Sequence, residues 1–180
     1  MKMKLIVSLV VLGLSPAVVM AAPIGTITFT GKLTDSTCDV KVNDSANGNA
    51  TITLPTLPVS QLAAANATAG NTNFTMKLSN CTPKTGTVRA YFEAGANVDA
   101  ATGRLKNTAL ASEAAGKVDV QLLDAKDNVL EAGNTSQRSL DGTALTDGAA
   151  TLGYQARYFA TGKTTAGKLN TSVTYSIDYN

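Results

Sequence analysis

The chain closes on VTYSIDYN (Val173–Asn180), a stretch that alternates strictly between apolar and polar residues. Val173, Tyr175, Ile177 and Tyr179 fall on one side; Thr174, Ser176 and Asp178 fall on the other. A period of two marks a β-strand with one apolar face. The pattern predicts a strand that runs to the end of the sequence and carries Asp178 as its single charge, on the polar face. Sheet edges are ordinarily blunted by charge, proline or a covering loop. The same alternation recurs near the start: Gly25, Ile27, Phe29, Gly31 and Leu33 interleave with Thr26, Thr28, Thr30 and Lys32. A strand at each extreme gives two edges that can donate or accept a further strand.

Between these ends the pattern is β almost throughout. Strands are predicted near 25–34, 37–42, 50–54, 72–79, 86–93, 117–123, 127–131, 151–160 and 171–179. They are separated by Gly, Asn, Asp and Thr, the residues that make turns. Phe74, Met76 and Leu78 alternate cleanly, as do Val88, Ala90 and Phe92, and Val118, Val120 and Leu122. Only VSQLAAA (Val59–Ala65) has a helical pattern, two turns at most. The Ala-, Gly-, Asn- and Thr-rich stretch from Ala94 to Ala115 predicts long loops or short irregular strands. No linker and no repeat interrupts the chain, so one antiparallel sandwich domain is expected.

The first residues belong to targeting rather than to the fold. Lys2 and Lys4 supply a positive start, Leu5–Leu14 an apolar core too short to span a bilayer, and Val19-Met20-Ala21 a small-residue cleavage motif. Cleavage is placed after Ala21, because a cut directly before Pro23 is disfavoured; an uncleaved anchor is the alternative. Removal of residues 1–21 leaves 159 residues, ample for a single core. It also removes Lys2 and Lys4, leaving 13 basic residues against 13 acidic ones. No basic surplus then remains for nucleic acid or anionic lipid. Near-zero charge also weakens repulsion between copies. Export makes the two cysteines, Cys38 and Cys81, a candidate disulfide, with two free thiols or half a metal site as the alternatives. Such a bond is worth roughly 4 kcal/mol on the chain-entropy model for a loop of this length.

Catalytic signatures are missing. There is no histidine, which removes Ser-His-Asp and Cys-His chemistry. No phosphate-binding loop of the Walker type is present, and no GxGxxG follows a strand. Asp124 and Asp127 flank Lys126 in LLDAKDNVL, a turn-like setting with too few oxygens, even counting Asn128, for a calcium loop. No catalytic residue, metal ligand or cofactor is assigned.

Several segments together resemble chaperone–usher pilus subunits, and most of all the major rod subunit of type 1-like fimbriae. GTITFTGKLTDSTCDV (Gly25–Val40) is similar to the family's N-terminal extension running into its first strand and first cysteine. LSNCTP (Leu78–Pro83) is similar to the second-cysteine segment, VDVQLLDAKDNVL (Val118–Leu130) to the central hairpin, and YQARYFATG (Tyr154–Gly162) to the penultimate strand. The end is most specific: Tyr179 is penultimate, and Gly167 stands fourteenth counting back from Asn180. That glycine–aromatic pairing marks the family's C-terminal strand.

The resemblance implies an all-β fold: an incomplete immunoglobulin-like sandwich that lacks its last strand and is completed in trans by donor-strand addition. It divides the chain into a signal peptide (1–21), a donor extension (22–33) and a pilin domain (34–180). Gly25, Ile27, Phe29, Gly31 and Leu33 would form the donor strand, with Ile27 and Phe29 as anchors. Gly167, Val173, Tyr175, Ile177 and Tyr179 would form the acceptor groove and chaperone-binding C-terminal strand. The implied partners are identical or related pilin subunits, a periplasmic chaperone and an outer-membrane usher. The implied location is an extracellular fimbria on a Gram-negative surface, reached through the periplasm, and the implied role is adhesion or biofilm formation. Two readings compete with a rod subunit: a minor adaptor of the same system, and a monomeric secreted sandwich that binds a surface glycan.

Overall fold

The computed structural model describes residues 27–31, 37–43, 45 and 48–179. The chain divides into two units, residues 1–33 and 34–180. In the first, residues 27–31 adopt no regular element, and Ile27 and Phe29 are 81% and 89% exposed. The strand predicted over 25–34 is therefore absent from the part of it that is described. Gly25 and Leu33 lie outside the described residues.

The second unit is all-β. Its strands are β1 (Thr37–Val42), β2 (Thr68–Thr82), β3 (Thr87–Phe92), β4 (Leu105–Lys106), β5 (Val118–Asp124), β6 (Val129–Leu130), β7 (Thr143–Ala144), β8 (Ala150–Ala160) and β9 (Tyr175–Tyr179). They form two sheets. The larger runs β1-β2-β8-β5-β4, with β6 also paired to β5. The smaller runs β7-β3-β9. Every ladder is antiparallel. Among the described residues no α-helix occurs; there are two 3-10 turns, Val59–Leu62 and Thr135–Ser139.

The period-two residues fill the space between the sheets. Phe74, Met76 and Leu78 of β2, Val120 and Leu122 of β5, and Leu152, Tyr154 and Ala156 of β8 project from the large sheet. Val88, Ala90 and Phe92 of β3 meet them from the small one. Tyr154 sits at the centre, edge-on to Phe92 at 5.3 Å and tilted against Phe74 at 5.7 Å between ring centroids. Each Val, Leu, Met or Phe side chain among them contributes roughly 1.5–3 kcal/mol by leaving water.

Several predicted boundaries move. The segment 50–54 keeps its alternation, with Ile52 and Leu54 half-buried against the core, but it pairs in no sheet. Pro55 and Pro58, which lack the N–H a ladder needs, follow directly. The final strand begins at Tyr175 rather than at 171, although Thr174 still accepts a backbone hydrogen bond from Glu93 at 2.9 Å. The predicted helix shrinks to the 3-10 turn Val59–Leu62, which buries Leu62. The strand predicted at 127–131 shrinks to β6, because Asp124 organises a tight turn. Its carboxylate accepts from the backbone N–H of Lys126 and of Asn128, both at 2.8 Å, and Asp127 takes a φ of 65°. Cys38 and Cys81 form a disulfide that ties β1 to β2.

Candidate functional site

The small sheet ends at β9. Its register against β3 pairs Tyr179 with Val88, Ile177 with Ala90 and Tyr175 with Phe92. In an antiparallel ladder, alternate residues turn both N–H and C=O towards the partner. The Glu93–Thr174 bond sets the phase: residues 174, 176 and 178 bond to β3. The backbone groups of Tyr175, Ile177 and Tyr179 therefore point away from β3, to the side where, among the described residues, no further strand pairs. Their side chains point inward, and burial drops across one strand spacing: Val88, Ala90 and Phe92 are at most 3% exposed, whereas their three partners are only half-buried.

The facing wall comes from the first part of the domain. β1, the edge of the large sheet, brings Cys38 and Val40, and the unpaired stretch after it brings Ile52 and Leu54, all partly buried against the same core as Val173, Tyr175, Ile177 and Tyr179. Two hydroxyls link the walls. Tyr175 donates to the carbonyl of Gly48 at 2.7 Å, and Tyr179 approaches Sγ of Cys38 at 3.0 Å. Burial pushes the pKa of both phenols up. On the outer face, Asp178 pairs with Arg138 at 2.7 Å and Ser176 bonds Glu93 at 2.6 Å, so the polar side of the terminal strand is anchored.

Four of the predicted groove residues, Val173, Tyr175, Ile177 and Tyr179, thus line one wall. Gly167 does not join them. It lies in the segment leading to β9, where a Cβ would sit 2.3 Å from the N of Ala115 and 2.4 Å from the carbonyl carbon of Ala114. Backbone crowds backbone there, which only glycine permits. Of the predicted donor residues, Ile27, Phe29 and Gly31 are described and exposed. Sequence reading did not assign Val40, Ile52 and Leu54 to the wall; the alternation over 50–54 was the available signal. Among the described residues no group of three or more His, Cys, Asp or Glu side chains could hold a metal ion.

Fold and site together define the class: an immunoglobulin-like β-sandwich in which, among the described residues, no strand pairs with the outer side of β9. Residues 54–180 match the family model for type-1 fimbrial protein, A. The chain is 43% identical over 161 residues to the major fimbrial subunit SMF-1 of Stenotrophomonas maltophilia, covering 87% of this chain and 92% of that one. It is 42% identical to the F17 fimbrial protein of Escherichia coli, covering 86% and 87%. A solved chaperone–usher pilus structure superposes with a TM-score of 0.57 at 22% identity, covering 91% of this chain and all of the other, a likeness that shows the fold. The chain belongs to the type-1 fimbrial protein A family. It is a structural subunit of a fimbria, its partners are related fimbrial subunits, and its place is an extracellular fibre. No helix among the described residues is long and apolar enough to cross a membrane.

Proposed function

We propose that this subunit polymerises by donor-strand exchange: the leading segment of one copy, residues 22–33, adds along β9, on the side away from β3, in the pilin domain, residues 34–180, of the next. The observation that carries this reading is the terminal strand itself. Tyr175 and Ile177 turn backbone groups to an edge with no described strand beside it, over a core that is only half covered there. Strand addition suits such an edge, since main-chain hydrogen bonds give affinity and alternate side chains give register. Ile27 and Phe29, both exposed, are the apolar anchors; each contributes roughly 1.5–3 kcal/mol on full burial. Each main-chain bond adds about 1 kcal/mol. Gly25 and Gly31 are narrow enough for close backbone approach, and Leu33 is the donor residue nearest in sequence to the pilin domain.

The same edge needs cover before assembly. After export and removal of residues 1–21, a periplasmic chaperone holds it, and an outer-membrane usher replaces the chaperone strand with the next subunit's extension. The finished fibre serves adhesion and biofilm formation. The relatives named as major subunits favour the rod over a minor adaptor. The test is the double variant Ile27→Asp, Phe29→Asp. Fibres should disappear in electron micrographs, while the unpolymerised chain keeps its melting temperature within about 2 °C, because both sites are exposed. Fibres of normal length and number would overturn the reading.

A further inference from the structure

The small sheet has a second edge, along β3, and it is closed by side chains rather than by a strand. β7 covers only Thr87 and Val88. The next two inward-facing residues, Ala90 and Phe92, have the ladder phase that turns their backbone groups away from β9. Ala90 N–H donates to the hydroxyl of Tyr154 at 2.8 Å. Phe92 N–H donates to Oε1 of Gln137 at 3.0 Å, and Nε2 of Gln137 donates back to the Phe92 carbonyl at 3.0 Å. The side-chain amide of Gln137 thus reproduces the two bonds that a paired strand would make. Gly133 N–H adds a further bond to the same carbonyl at 2.8 Å.

The plug is firmly seated. Gln137 is 2% exposed, and its Nε2 also reaches the carbonyls of Glu131 at 2.9 Å and Asn134 at 3.2 Å. The buried Arg89 guanidinium, from β3 itself, donates to the carbonyls of Gln137, Arg138 and Leu140 and so holds the turn against the strand. Arg138 lies over the Tyr91 ring, 4.4 Å from its centroid.

We infer that Gln137 and Tyr154 are specificity-determining residues for strand addition: they occupy the N–H of Ala90 and both the N–H and the C=O of Phe92, so the sheet takes a donor at β9 alone and the fibre cannot branch. This rests on the donor-strand reading of β9. It gives a polar, buried glutamine in a loop a role that core packing does not require.

The experiment uses the full chain and a synthetic peptide of residues 22–33 as the donor probe, with bound peptide per chain measured at saturation. The wild-type chain should take one peptide, and the variant Gln137→Ala, Tyr154→Phe should take two and form branched or laterally fused fibres. A folded variant that still takes one peptide and forms only linear fibres overturns this inference and leaves the β9 reading intact. A wild-type chain that takes no peptide overturns the β9 reading and this one with it. Should the double variant not fold, the single variant Gln137→Ala decides, since it keeps the Tyr154 hydroxyl that accepts from Ala90 N–H. Faster amide exchange at Phe92, slowed again by excess peptide, supports the plug; exchange unchanged from wild type overturns it.

Discussion

On one side of the small sheet, the outward backbone groups of β3 meet the hydroxyl of Tyr154 and the amide of Gln137. On the other side, Tyr175 and Ile177 turn theirs to an edge where no strand is described. The two edges lie one strand apart and share the same core, yet one is sealed by buried side chains and the other is lined by half-buried apolar ones. A sheet edge is an interaction site only where its backbone groups are left for a partner. Polarity of assembly in this fold therefore comes from unequal finishing of two edges, not from the sandwich as such.

The largest effect that tests this contrast concerns the Cys38–Cys81 bond, because Cys38 stands in the wall facing β9. Reduction should cost about 4 kcal/mol and lower the melting temperature by about 8–16 °C in calorimetry. Strand uptake at β9 should fall with it. A large loss of stability with uptake unchanged would remove β1 from the site.

Alkaline titration separates the edges next. Burial raises the pKa of Tyr175 and Tyr179, and that of Tyr154, where the bond from Ala90 N–H works against it. A folded state with raised phenol pKa values keeps protons that the unfolded chain gives up. Its contribution to stability is intact below the ordinary tyrosine value of about 10 and is lost as pH climbs from there through the raised values. An added strand buries Tyr175 and Tyr179 further, so the phenolate absorbance of fibres should rise at higher pH than that of unpolymerised chain. Coincident curves would contradict occupancy of that edge.

The smallest effect belongs to the outer face. Asp178→Asn removes the partly exposed ion pair with Arg138, which solvent screens, and should lower the melting temperature by no more than about 4 °C. Strand uptake should not change, because Asp178 points away from the groove. Loss of uptake would show that the outer face takes part.

The open edge was legible in the sequence because its signal is local: Tyr175, Ile177 and Tyr179 announce their shared face by spacing alone. The same holds for Phe74, Met76 and Leu78 in β2. The sealed edge was not legible, because it is made by contacts between distant residues. Gln137 sits in a polar stretch, GNTSQRS, and only folding carries it to Phe92, 45 residues away. The two-residue strands β4 and β7 are too short to show a period. Ile52 and Leu54 alternate as a strand would, and they contribute to the wall without pairing. For Gly167, position counted from the end marked it out; the reason for it, backbone contact with Ala114 and Ala115, lies in the structure.

Amide hydrogen exchange tests the unequal edges most directly. In unpolymerised chain, the amides of Tyr175 and Ile177 should exchange roughly 100-fold faster than those of Ala90 and Phe92, and in fibres all four should be protected alike. Equal protection of the four before assembly would contradict an open edge at β9.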